Sequence, residues 1–360
     1  MRKLRLPIIA ALAAICLLFA VVALIEGTAS LVLFARAMRQ AHFVEEHFTE
    51  RDTLLGWINI PNASKPDLFG PGRSLRINGQ RFRHAGELAA VPPAGKKRVV
   101  CSGDSFTLGY GVDDSKTWCA LLAVDEPSLE TVNMGQAGYG IDQAYLWYVR
   151  DGLPLHPQVH LFAIITDDFR RMGTDKFGGF PKPRLALGSN GLHTVGVPVR
   201  KPGLGPFTVR LFNTIRSLRT FELVQYIVPI GKSNSGSATA TSAASSATWD
   251  VTRAVLRDMA VRDSVAGAKL IVVYLPTIDE FKGKGSDKWR QSIQEAAGKD
   301  NYQYVDLVEE LRRVSPDSVD RLFIPRGQLA FRGAAGHYTE AGNLWVEKIL
   351  RERVPVLAGR

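Results

Sequence analysis

Residues 98–109 read Arg98-Val99-Val100-Cys101-Ser102-Gly103-Asp104-Ser105-Phe106-Thr107-Leu108-Gly109, and this stretch decides the fold. Val99 to Cys101 is a short apolar run of the kind that forms a strand covered on both faces. It runs into Ser-Gly-Asp-Ser, and a helical pattern follows around Thr117 to Ala123. The alternation then repeats. Thr131-Val132-Asn133 is a second strand candidate, closed by the glycine-rich segment Met134 to Gly140 and followed by a helix from about Asp142 to Arg150. Val159 to Ile165, Lys269 to Leu275 and Tyr304 to Asp306 are the third, fourth and fifth, and Ala341 to Arg353 makes a closing helix. Short apolar strands separated by helices predict an α/β domain with a five-stranded parallel sheet.

The N-terminus has a different character. Arg2, Lys3 and Arg5 precede a run from Leu6 to Ile25 in which Cys16 is the only polar residue. About 20 helical residues span the hydrocarbon core of a bilayer. A cleaved signal has a shorter apolar core of about 7–15 residues. Gly27-Thr28-Ala29 imitates a cleavage site, but the length favours an uncleaved transmembrane anchor. Basic residues before the span place the N-terminus in the cytoplasm and the rest of the chain outside it. That is a single pass through a bacterial inner membrane, with the domain in the periplasm.

Arg36 to Thr53 suggests an amphipathic helix leaving the membrane, followed by extended chain through Arg73. Asn78-Gly79 predicts a short hairpin joining Leu75–Ile77 to Gln80–Phe82. The stretch from Thr166 to Ala268 is too long for an ordinary crossover. Within it, Ser233 to Thr248 has linker composition, and Phe177 to Pro206 is rich in Pro and Gly, as a small flap would be. The expected division is therefore an anchor over 1–30, a lead-in over 31–95, a sheet domain over 96–172 and 250–360, and an insertion over 173–249.

Several functions are unsupported. The net charge of +10 suits a surface near anionic lipid or an anionic substrate. No basic run interleaved with aromatics points to nucleic acid. No His/Cys cluster has zinc spacing and no glycine loop carries a P-loop lysine, so neither metal nor cofactor is expected. Cys101 and Cys119 read as two buried thiols.

Ser105 and His337 carry the chemistry. Ligands bind beyond the carboxyl ends of strands in an open parallel sheet. A serine there has its amide near a helix N-terminus, where N–H groups can stabilise an oxyanion; it could equally be a simple helix cap. A serine needs an adjacent base to be a nucleophile. His337 sits in Gly336-His337-Tyr338-Thr339-Glu340, a loop before the last helix. His156, His160 and His193 lack such a setting and read as surface or loop residues. Asp113 and Asp114 read as helix-flanking acids.

Taken in order, five blocks resemble the SGNH/GDSL hydrolase family, in particular its bacterial branch with an N-terminal membrane segment. They are Leu55-Gly56-Trp57, Gly103-Asp104-Ser105-Phe106-Thr107, Asn133-Met134-Gly135-Gln136-Ala137-Gly138, Thr166-Asp167-Asp168-Phe169 and Gly336-His337-Tyr338-Thr339. The resemblance implies a flavodoxin-like three-layer fold and acyl-ester chemistry. Ser105 would be the nucleophile and His337 the general base, with the Ser105 and Gly138 amides as oxyanion donors. Asp104, Phe106 and Asp168 would lie along the substrate. Two positions depart from the pattern. Asp167 occupies the place of the family's oxyanion-binding Asn, and an ionised carboxylate cannot donate. Ala334 and Ala335 stand where the family has the acid that orients the histidine, and Asp279, Asp317 and Asp320 are the acids that could replace it.

The implied protein is a membrane-anchored serine esterase or O-acyltransferase. Its substrate would be an acylated envelope polysaccharide or lipid. The alternatives are a degenerate member that binds acylated glycan and a scaffold for an envelope assembly.

Overall fold

The computed structural model describes residues 5–39, 48–216, 242–283 and 285–359. It divides into two compact units, residues 1–43 with 203–235 and residues 44–202 with 236–360. The first contains α1 (Arg5–Arg39) and, later in the chain, α6 (Gly205–Arg216). Within α1, Leu12–Val32 is apolar and long enough to cross a membrane.

The second unit begins with two small antiparallel pairs, β1 (Thr49–Asp52) with β2 (Gly56–Asn59) and β3 (Ser64–Lys65) with β4 (Leu75–Arg76). Next come β5 (Lys97–Gly103), α2 (Ser105–Leu108), α3 (Trp118–Asp125), β6 (Leu129–Gly135), α4 (Ile141–Trp147), β7 (Val159–Ile164) and α5 (Thr166–Met172). Two hairpins follow, β8 (Lys176–Phe177) with β9 (Phe180–Pro181) and β10 (Arg184–Gly188) with β11 (Gly191–Val195). The chain returns through α7 (Ser242–Val265), β12 (Lys269–Tyr274), α8 (Ile278–Lys282), α9 (Asp287–Asp300), β13 (Gln303–Asp306) and α10 (Val308–Arg312). It closes with α11 (Pro316–Val319) and α12 (Glu340–Arg353).

The five long strands pair in parallel in the order β6-β5-β7-β12-β13. Counted along the chain this is 2-1-3-4-5, the flavodoxin-like doubly wound order. All five expected strands are present. Alternate residues of each strand feed opposite cores. Val100, Phe162 and Val272 pack with α4, α7 and α9, while Val99, Leu161 and Ile271 pack with α3 and α12. A third cluster, including Phe69, Tyr110, Phe331 and Ala334, lies with Leu108 just past the end of β5. The switch in strand order falls between β5 and β7, so the Gly103–Ser105 turn lies where such sheets bind ligands.

Several local expectations need correction. Of the predicted helix over Arg36–Thr53, Arg36–Arg39 is helical as the end of α1, and residues 40–47 lie outside those described. Thr49–Asp52 is instead a strand, because Asp52 accepts the Leu54 and Leu55 N–H groups at 2.8 Å each and turns the chain back on itself. No hairpin forms about Asn78-Gly79. The Asn78 side chain accepts the Phe82 N–H and closes a loop, while Leu75–Arg76 pairs with Ser64–Lys65. Of the expected linker, residues 233–241 lie outside those described, and Ser242–Thr248 forms the start of α7. Its alanines favour helix, and the helix continues into buried Val255, Leu256 and Met259. The insertion is also divided, with its hairpins in the sheet unit and α6 in the other.

The hairpins are tied down by charge. Lys182 donates to Asp142 at 2.6 Å and to the Thr174 and Pro183 carbonyls, and both side chains of the pair are fully buried. Burial pulls the Lys182 ammonium below its ordinary pKa, against the pull of Asp142. Removing one partner of a buried pair strands the other charge, at a cost of about 3–5 kcal/mol. Lys182→Met is expected to lose that much in urea unfolding, and Lys182→Met with Asp142→Leu to recover most of it. Equal losses in the single and double variants would show that the charge pair is not what holds the hairpins.

Candidate active site

Ser105 is the first residue of α2 and is 5% exposed. Asp104 is its N-cap, accepting the Phe106 N–H at 2.8 Å. The turn before it needs glycine: a Cβ on Gly103 would lie 2.4 Å from Thr107 Oγ1 and 2.6 Å from the Ala163 carbonyl. This crowding presses the turn against β7 and holds the serine at the sheet rim.

His337 Nε2 lies 2.8 Å from Ser105 Oγ. The ring packs between Phe106, at 4.5 Å between centroids, and Tyr110, at 5.1 Å. Its backbone is bonded on both sides, with His337 N–H donating to Ala334 and Ile324 N–H donating to His337. Tyr338 donates to the Pro276 carbonyl. Buried Asn343 accepts the Trp118 N–H at 2.9 Å and donates to the Thr339 carbonyl at 3.0 Å, joining the His337 loop to the start of α3.

Among the described residues no side chain is hydrogen-bonded to the other ring nitrogen. His337 Nδ1 is buried without a hydrogen-bond partner of normal geometry, so Asp279, Asp317 and Asp320 do not replace the missing acid. The Ala334 and Ala335 carbonyls lie close enough to favour the protonated ring, but they are outweighed. Burial, followed by the positive charge of Arg171, pulls the imidazole from 6.5 down to about 4.

Arg171 organises the rest. It donates to Asp104 and Asp168 at 2.9 Å each and to the Tyr139 carbonyl at 3.1 Å. Asp168 also accepts the Ile165 N–H at 3.0 Å. Both carboxyls are 2% exposed, and burial raises their pKa against the pull of Arg171. Asp104, Phe106 and Asp168 are thus buried against protein partners. Asp167 is half exposed, 3.2 Å from Arg170 and 4.0 Å from Arg171.

The glycine-rich loop after β6 is held by the lead-in. Trp57 Nε1 donates to the Ala137 carbonyl at 2.9 Å, and Tyr139 donates back to the Trp57 carbonyl. Gly138 has φ +71, and a Cβ there would lie 2.3 Å from Phe177 of the β8–β9 hairpin. Phe177 stacks on Trp57 and lies 5.4 Å from the Arg171 guanidinium. Sequence pattern singles out neither Arg171, two residues beyond the Thr166–Phe169 block, nor Phe177 as part of a site.

A second serine–histidine pair lies inside the molecule. Ser102 Oγ is 2.6 Å from His160 Nε2, and His160 Nδ1 is 2.9 Å from Asp263. Tyr148 stacks on the His160 ring and donates to Asp263. His160 is therefore a core residue, contrary to expectation. The network has the connectivity of a triad, but Ser102 is 1% exposed and the other two are fully buried, so no ester can reach it. Asp113 and Asp114 have structural roles. Asp113 caps a short turn, and Asp114 pairs with Arg76 and Arg83. Cys101 and Cys119 are buried free thiols. Among the described residues no acidic, His or Cys cluster could hold a metal.

No family model and no curated relative matches the chain. It is similar in structure to solved proteins that include an esterase and a member of the G-D-S-L family. One is an acetylxylan esterase from Geobacillus stearothermophilus, at 14% identity over 72% of this chain and 96% of that one, with a TM-score of 0.38. Another is TesA, at 13% identity over 72% and 99%, with a TM-score of 0.42. A third, from Desulfitobacterium hafniense and assigned to the G-D-S-L lipolytic family, has 14% identity over 71% and 100%, with a TM-score of 0.38. With likenesses this distant, the fold rests on the chain's own 2-1-3-4-5 strand order and the chemistry on the Ser105–His337 geometry.

Proposed function

We propose that this protein is a membrane-anchored serine esterase or O-acyltransferase that acts on acyl esters of envelope glycans or lipids. The observation that carries the reading is the 2.8 Å contact of Ser105 Oγ with His337 Nε2 at the carboxyl end of the sheet. The apolar span Leu12–Val32, with Arg2, Lys3 and Arg5 before it, supports a domain held outside the cytoplasm.

His337 Nε2 takes the Ser105 proton as Oγ attacks the ester carbonyl carbon. The Ser105 and Gly138 amides receive the oxyanion of the tetrahedral intermediate. The imidazolium gives its proton to the leaving alcohol, and an acyl-serine remains. Water or an acceptor hydroxyl, deprotonated by the same nitrogen, then attacks the acyl carbon, and the bond to Ser105 Oγ breaks as Nε2 returns the proton to that oxygen. Nε2 can accept only if the ring proton is on Nδ1, where the Ala334 and Ala335 carbonyls are its available neighbours. Asp104, Phe106, Asp168 and Arg171 position the pair. Asp167, turned toward Arg170, adds no donor to the oxyanion.

The depressed imidazole sets the pH dependence. The base works when neutral, so hydrolysis rises as pH passes about 4 and is level through neutrality, instead of rising near the ordinary 6.5. The same shift affects stability. The unfolded ring binds its proton first, so the contribution of the buried neutral ring is complete above 6.5 and is lost as pH falls toward about 4. The test is acetate release from acetylated oligosaccharide by the detergent-solubilised full chain between pH 3.5 and 9. Turnover with its acid limb near 4 is expected. A limb at 6.5 would mean a base other than His337 as it is placed here.

A second reading is favoured by the unpartnered Nδ1 and the absence of an Asn at 167: a fold that binds acylated glycan without turning it over. Binding of the same oligosaccharide with no acetate release at any pH would select it.

A further inference from the structure

Phe177 brings an aromatic wall to the Ser105 site. It pairs with Phe180 in the β8–β9 hairpin and is half-buried. A Cβ built on Gly138 would lie 2.3 Å from its Cε1 and 2.7 Å from its Cδ1, so the ring takes the space that a side chain at 138 would fill. Trp57 stacks on the ring, at 6.0 Å between centroids and 28° between planes, and the Arg171 guanidinium lies 5.4 Å from its centre. Both neighbours are fixed to the residues around the proposed machinery. Trp57 donates to the carbonyl of Ala137, just before Gly138, and Arg171 to the carbonyl of Tyr139, just after it. Arg171 also donates to Asp104, the residue before Ser105. The hairpin is tied at both ends. Thr174 Oγ1 lies 3.0 Å from both the Arg171 and the Lys176 carbonyls, and beyond β9 the Lys182 N–H donates to the Asp175 carbonyl at 2.9 Å.

Three of the four bonds at the reacting carbon have assigned directions. One goes to Ser105 Oγ. The oxyanion faces the Ser105 and Gly138 amides, and the leaving oxygen faces His337, which must protonate it. The acyl chain takes the remaining direction, away from His337 and along Gly138, where Phe177 stands. We propose that Phe177 closes the acyl side of the site, so that the protein takes short acyl esters, acetyl above all, and turns away fatty acyl chains. This rests on the reading of Ser105 and His337 as an ester-cleaving pair. A ring stacked on an indole and a guanidinium yields little, because extra methylenes in a filled space force side chains off their rotamers. Of the two substrate classes, the wall selects the acetylated glycan over the fatty acyl lipid.

The test compares kcat/KM for p-nitrophenyl acetate and p-nitrophenyl hexanoate in the detergent-solubilised full chain, as wild type, Phe177→Ala and Phe177→Leu. Wild type is expected to prefer the acetate. In Phe177→Ala the hexanoate-to-acetate ratio is expected to rise about ten- to a hundredfold, the scale on which apolar pockets discriminate by size. Phe177→Leu keeps an apolar side chain against Gly138 and is expected to fall between the two. Each ratio is taken within one preparation, so a loss of folded protein does not move it. A ring that only supports Gly138 would lower both esters by the same factor. An unchanged ratio in both variants, with wild type active, would therefore overturn the proposal and leave the ester-cleaving pair intact. A wild type that takes hexanoate as well as acetate would overturn it too. Hydrolysis of neither ester by wild type would instead remove the reading of Ser105 and His337, and the proposal with it.

Discussion

A fluorophosphonate probe is expected to label the folded wild-type protein, to leave Ser105→Ala unlabelled and to label Ser102→Ala as it does wild type. Ester hydrolysis by Ser105→Ala is expected to fall by at least about a thousandfold, since losing the nucleophile leaves only binding and oxyanion stabilisation. The contrast is informative because both serines lie within hydrogen-bond distance of a histidine Nε2, at 2.8 Å for Ser105 and 2.6 Å for Ser102. Only the Ser102 network has a carboxylate behind the ring. Partners alone would therefore select Ser102. Position selects Ser105, which opens a helix beyond the end of its strand, whereas Ser102 faces the core under α4 and α7. Ser102→Ala should instead cost stability, about 1–3 kcal/mol for stranding a buried imidazole nitrogen, read as a lower melting temperature. Labelling that persisted in Ser105→Ala and vanished in a folded Ser102→Ala would move the nucleophile into the core network and end the present reading.

The second large effect is a gain. Asp167→Asn combined with Ala335→Asp is expected to raise kcat by about ten- to a hundredfold, short of the full effect of either group in enzymes built around them. The two changes act on different charges. An Asn at 167 can donate to the oxyanion where a carboxylate cannot. A carboxylate at 335 gives His337 Nδ1 the partner it lacks and stabilises the imidazolium, so the acid limb should move upward from about 4. The single variants separate these effects, because only Ala335→Asp should shift the limb. A fall in kcat with Asp167→Asn alone would make Asp167 a working residue in a different arrangement. A shifted limb without a faster rate would mean that the alanine carbonyls already hold the ring in its working tautomer.

The parts legible in the sequence are those written in contiguous residues. Five apolar runs gave five strands, because a strand covered on both faces is written in contiguous apolar residues. The Ser105–His337 pairing, across 232 positions, was legible because motif order supplied what distance in the chain hides. The remainder depends on partners that local pattern does not name. Nothing near Lys182 indicates that its ammonium is buried on Asp142, and nothing near His160 indicates Asp263. The Asn78-Gly79 expectation failed because the amide of Asn78 had a better use than a tight turn. Asp52 redirected β1 in the same way, through one carboxylate oxygen.

Asn343 joins the histidine loop to the start of α3, and this bears on when the molecule becomes competent. A chain is made from its N-terminus, so the strand that presents Ser105 is synthesised well ahead of the segment carrying His337. Until α12 docks and Asn343 reaches the Trp118 amide, the proposed pair is not assembled. On the proposed reading the protein is therefore expected to remain inert through synthesis, and to gain reactivity only when its final helix closes. Proteolytic removal of that helix would return it to the inert state with the nucleophile still in place.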